Sequence, residues 1–94
     1  MTSINDMLDE REKTHGNFEK TAAIAQKLKQ ALQMDYFGGL MATPVMCEGL
    51  DMIASKLARI ASGDPTNPDH WRDIAGYAEL VARSLSDQKE QGPA

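Results

Sequence analysis

An all-α fold, with a short N-terminal helix leading three longer antiparallel ones in one compact domain, is what this sequence predicts, and three observations predict it. Apolar residues recur at alternating spacings of three and four, as in Met46, Leu50, Ile53, Leu57 and Ile60, which marks one face of a 3.6-residue helix. Two cap-plus-proline pairs, Thr43-Pro44 and Asn67-Pro68, are helix starts, because the first helical position has no use for the N–H that proline lacks. Nowhere do apolar and polar residues alternate with the period of two that a half-buried strand requires.

Ser3 followed by Asp6 reads as the capping pair of a first helix over 4–13, whose Ile4, Met7 and Leu8 offer little apolar surface. Thr14 to Asn17 interrupts it, with Gly16 free to turn the chain. The second helix spans 17–33 and presents Phe18, Ala22, Ala25, Leu28 and Leu32 as its buried face, with Lys20, Lys27 and Lys29 in solvent. Met34 to Ala42, centred on Gly38-Gly39, has no helical period and reads as an apolar loop able to act as a lid.

The third helix, 44–62, carries the seam already named and a flank of small residues, Cys47, Ala54, Ala58 and Ala61, that lets a neighbour approach closely. Cys47 is expected there as packing. Gly63 ends this helix, and the prolines of Asp64-Pro65-Thr66-Asn67-Pro68 forbid its continuation. The fourth helix, 68–86, is expected to bury Trp71, Ile74, Ala78, Val81 and Leu85, ahead of a polar tail over 87–94 that frays.

Ninety-four residues supply one core and no more. Ten basic against fourteen acidic residues, a net charge of −4, repel a phosphate backbone and argue against general nucleic-acid binding. A single cysteine makes no internal disulfide, and no apolar run reaches the roughly 20 residues of a membrane span, so a cytoplasmic protein is expected.

Chemistry concentrates on the third and fourth helices. Lys56 borders the apolar seam and Arg59 lies about 60° further round, a cationic pair suited to clamp phosphate, lysine as point charge and arginine as fork. On the fourth helix Asp69, Asp73 and Tyr77 form a second polar face, able to orient those cations or to recognise a base and ribose. Glu48, Asp51, Asp69 and Asp73 form an alternative set for Mg²⁺, a cation that prefers oxygen ligands. His15 and His70 have no clustered partners for zinc and read as neutral hydrogen-bonding groups. No phosphate loop or nucleophile elbow is present, so covalent catalysis has no support.

Three segments, Arg11-x-x-Thr14-His15-Gly16-x-Phe18, Glu48-x-x-Asp51-Met52-Ile53-Ala54-x-Lys56-x-x-Arg59-Ile60-x-x-Gly63-Asp64-Pro65 and Asp69-x-Trp71-x-Asp73-Ile74-Ala75-Gly76-Tyr77, resemble a family of small uncharacterised phage and prophage proteins. The resemblance implies a phage origin and adds Arg11 and His15 to the ligand candidates. A weaker likeness is to the all-α nucleotide pyrophosphohydrolases of the MazG-like type, of whose acidic pattern only Glu48-x-x-Asp51 is present.

The function expected is therefore capture rather than turnover of a small anionic nucleotide, as a sponge for a host immune signal. Arg11, His15, Lys56, Arg59, Asp69, Asp73 and Tyr77 are the binding residues, in a homo-oligomer that needs no cofactor. One alternative is a Mg²⁺-dependent pyrophosphohydrolase using Glu48, Asp51 and Asp73; another is a module that engages a host protein through the methionine-rich loop.

Overall fold

A computed structural model describes residues 3–32 and 43–91, apart from the side chains of Thr14 and of residues 88–91. The loop read at Met34 to Ala42 lies outside the described residues. Four helices account for most of the rest: α1 (Ile4–His15), α2 (Phe18–Ala31), α3 (Pro44–Ser62) and α4 (Pro68–Gln91), with no strand among the described residues. None of them is long and apolar enough to cross a membrane.

Each start is capped by the residue type that the chain offers there. Ser3 Oγ accepts from the Asp6 N–H at 3.1 Å, Asn17 Oδ1 from Lys20 at 3.3 Å, and Thr43 Oγ1 from Met46 at 3.2 Å with Pro44 behind it. These bonds satisfy donors that have no partner inside the helix. Thr14, read from the sequence as the start of an interruption, falls within α1, which runs on to His15; the cap of α2 is Asn17. Residues 87–91, expected as a fraying tail, continue α4.

The helix α3 is the centre of the molecule. It packs on α2 and on α4, whose backbones do not approach each other, while α1 lies across α2 and α3. With extents of 57 × 28 × 24 Å the molecule is elongated rather than compact, because the flanking helices sit to either side of α3 instead of closing round a common core, and a 24-residue α4 is about 36 Å long.

Burial follows the small residues. Among the described residues Ala25, Ala54 and Ala58 are the buried hydrophobic side chains, joined by Gly49. A methyl on Gly49 would collide with Val81 of α4, so this glycine sets how closely the two helices approach. Four sequence expectations are corrected here. Leu57 of the α3 seam is 41% exposed, Phe18 is 83% exposed, Trp71 is 53% exposed, and Cys47 is exposed rather than packed.

The physical reason is clearest on α4. Its inward face is His70, Ile74, Tyr77, Val81 and Ser84, with Leu85 beside them, while Ala78 is exposed. Trp71 stands one residue, about 100°, away from His70, and its indole N–H donates to the Pro65 carbonyl at 2.9 Å. The same alternation of threes and fours thus runs through His70, and His70 is the largest fully buried side chain.

Candidate functional site

A corner between α1 and α2 places the first functional groups. Gly16 leaves α1 at φ 82° and ψ 179°, a backbone region open essentially to glycine alone, and its Cα lies against the Ser62 carbonyl, where a Cβ would collide. Two hydroxyls lock the corner to the end of α3: Thr21 Oγ1 and Ser62 Oγ are 2.6 Å apart and reach the carbonyl oxygens of His15, Asn17 and Ala58 at 2.8 to 3.4 Å. His15 and Arg11, one turn apart on α1, are thereby held opposite Arg59, which precedes Ser62 by three residues on α3.

Between α1, α2 and α3 opens a cleft of about 830 Å³. Arg11 and His15 line it from α1, Phe18, Ala22, Ala25 and Lys29 from α2, and Ser55 and Arg59 from α3, with Glu12 and Glu19 also contributing. The two half-buried charges of this lining, Lys29 and Arg59, are both cations, whereas the two acids are exposed. A chain of net charge −4 thus turns basic groups toward its cleft.

His15 is the electrostatic pivot. Its ring lies 5.0 Å from that of His70, tilted by 51°. Burial, and after it mainly the positive charge of Arg59, with Lys56 and Arg11 adding to it, lowers its pKa below the usual imidazole range, so the ring is neutral at pH 7. Its Nδ1 is buried and has no hydrogen-bond partner among the described residues.

On the other side of α3, Lys56 meets Asp73 of α4. Lys56 Nζ lies 2.9 Å from Asp73 Oδ2, with the lysine side chain 12% exposed and the aspartate 47%. The Lys56 hydrogen bond is the main reason that the Asp73 carboxyl titrates below its usual value, with the charges of Lys56 and Arg59 adding to it. This ion pair is closed on itself.

The seven candidate binding residues therefore occupy four places. Arg11, His15 and Arg59 share the cleft; Lys56 and Asp73 pair across the α3–α4 joint; Asp69 lies at the surface, 3.6 Å from Arg72, where both side chains are about three-quarters exposed. Tyr77 is half-buried on the inward face of α4 and does not line the cleft. Among the described residues no three His, Cys, Asp or Glu side chains gather as a metal set requires, so Glu48, Asp51, Asp69 and Asp73 do not converge.

Sequence reasoning missed Phe18 as a lining residue and took Lys29 as solvated. They are eleven residues apart, about three turns, which puts Lys29 on the face assigned to packing and was the available signal. With this geometry in place, comparison with known families gives one match, over residues 2–85, to DUF6378, a domain of unknown function.

The chain belongs to the DUF6378 family.

The match contains every residue of the cleft and of the Lys56–Asp73 pair. No curated protein and no solved structure matches this DUF6378 chain.

Proposed function

We propose that this DUF6378 domain is a binding module that captures a small anionic nucleotide in the cleft between α1, α2 and α3. The observation that carries this reading is the pairing of half-buried Lys29 and Arg59, with Arg11 at the rim, around a cleft of about 830 Å³ in an otherwise acidic chain. That volume falls in the range of small-molecule sites, roughly 300–1,000 Å³. Arginine suits the role because its planar fork meets phosphate oxygens in pairs.

The site is thus a revised one. Arg59 acts with Arg11, His15 and Lys29, and the Lys56–Asp73 pair supports it from behind α3. The resemblance to phage and prophage proteins puts host signalling nucleotides among the ligands of choice, with sequestration as the biological outcome. Association of copies belongs to the same reading, supported by the exposed Leu57, Trp71 and Leu80 on α3 and α4; sedimentation velocity tests it, and a monomer at all concentrations would remove it.

Isothermal titration calorimetry against a panel of linear and cyclic nucleotides is the test. Saturable binding of at least one member, weakened by Arg59→Ala, is the expected result. No heat from any member would overturn the reading.

A further inference from the structure

We infer that Phe18 is a base-stacking platform at the mouth of the cleft, so that the ligand is held by a nucleobase as well as by its phosphates. The inference rests on the anion-binding reading above and adds what that reading lacks, a group that recognises the uncharged part of the ligand.

Phe18 is anomalous for its position. It lies on the same face of α2 as Ala22 and the 7% exposed Ala25, yet its own side chain is 83% exposed, more than that of any other exposed large hydrophobic residue described. Helical phase therefore does not explain the exposure; the ring lies beyond the cover that α1 and α3 give to the rest of that face. No described aromatic ring covers it, since the aromatic contact found among the described residues is that of His15 with His70.

Three features turn an exposed ring into a recognition element. Phe18 lines the cleft together with Arg11, Lys29 and Arg59, so a planar apolar surface and phosphate-binding cations share one hollow. It is the first residue of α2, behind the Asn17 cap and one turn from Thr21 of the hydroxyl clasp, so the backbone that mounts the ring is fixed before ligand arrives. A phenylalanine has two side-chain torsions, and every nucleobase presents a π face for it to stack on, with little dependence on which base it is. Trp71, the other large exposed aromatic among the described residues, is on α4, outside the cleft, with its N–H held by Pro65.

The experiment compares the four ribonucleoside triphosphates with inorganic tripolyphosphate, which carries the same phosphate chain without base or ribose. Calorimetry uses the full chain at fixed ionic strength, in the wild type, Phe18→Ala and Phe18→Leu, each checked for helicity by circular dichroism. The expected result is that at least one nucleotide binds the wild type about 5- to 150-fold more tightly than tripolyphosphate, the range of one base–aromatic stack. Phe18→Ala then abolishes that preference and leaves tripolyphosphate affinity unchanged, and Phe18→Leu keeps little of it. Equal binding of nucleotides and tripolyphosphate by the wild type overturns the inference, as does a preference that survives Phe18→Ala, including the case where that variant alters only self-association. If no probe binds the wild type, the anion reading itself fails and takes this one with it.

Discussion

Two cations three residues apart on α3 have opposite fates. Lys56 is mostly buried and closed against Asp73 at 2.9 Å, whereas Arg59 is half-buried in the cleft, makes no ion pair with another described residue, and faces Arg11 and His15. The difference comes from what each side of α3 meets. Toward α4 the chain supplies a carboxylate at the right level; toward α1 and α2 it supplies more positive charge, a neutral imidazole and two acids, Glu12 and Glu19, that stay exposed. A charge neutralised within the fold holds helices together, while one facing other cations is left to be neutralised by something that arrives. The comparison thus separates a structural joint from the cleft proposed for binding on a single helix.

The largest blow to one side of that comparison is Gly16→Ala. The substitution forces a side chain into a glycine-only conformation and against the Ser62 carbonyl, a loss of about 3 kcal/mol or more when strain and overpacking are combined. Urea denaturation measures it. Amide exchange locates it: the α1–α2 corner loses protection first, and the α3–α4 joint keeps its own longest. Gly49→Ala strikes the other side, since Val81 must move to admit the methyl, and costs about 1–3 kcal/mol with the cleft intact.

Arg59→Ala sharpens the contrast by function. Loss of a charge-assisted contact, about 1.5–3 kcal/mol, weakens nucleotide binding about 10- to 150-fold, and the urea midpoint barely moves. Lys56→Met and Asp73→Asn reverse this pattern: each leaves an unpartnered group at the joint and lowers the midpoint, with little change in affinity. Equal loss of binding in the Lys56 and Arg59 variants would show that the two cations act as one clamp after all.

The smallest effect is titration, and the two sides separate by pH. Burial and nearby positive charge lower the His15 pKa, so around its usual value of about 6.5 the unfolded chain binds a proton that the folded one does not. Stability from this source is complete above that pH and declines as the pH falls below it, toward the lower folded value. The Lys56 bond lowers the Asp73 pKa, so its contribution holds down to about 3.9 and is lost only as the pH falls further, through its folded value. Midpoints measured from pH 8 to 3 therefore decline in two steps; His15→Gln removes the upper one and Asp73→Asn diminishes the lower, which Asp64, lowered by its hydrogen bonds from Thr66, shares.

The helices and their starts were legible because caps and prolines act locally: Ser3, Asn17, Thr43-Pro44 and Asn67-Pro68 stand where the helices begin. The phase of α4 was not, because His70-Ile74-Tyr77-Val81 and Trp71-Ile74-Ala78-Val81 obey the same spacing, and hydrophobicity favoured the indole over an imidazole that the fold buries. Arg11, His15 and Arg59 were recognised as polar residues of interest, but their assembly depends on how Gly16 turns the chain against Ser62, forty-six residues away in sequence, which no local pattern encodes. Lys56 and Arg59 looked like partners because they are close on one helix; only the position of the neighbouring helices divides them.

Backbone amide shift mapping by ¹H–¹⁵N NMR, during titration with a nucleotide that binds, tests the division of α3 most directly. The account predicts that the largest shifts fall on Arg11, His15, Gly16, Phe18 and Arg59, and that Asp73, Tyr77 and Val81 of α4 remain still. Largest shifts at Asp73 and Tyr77, with the α1–α2 corner unmoved, would contradict it.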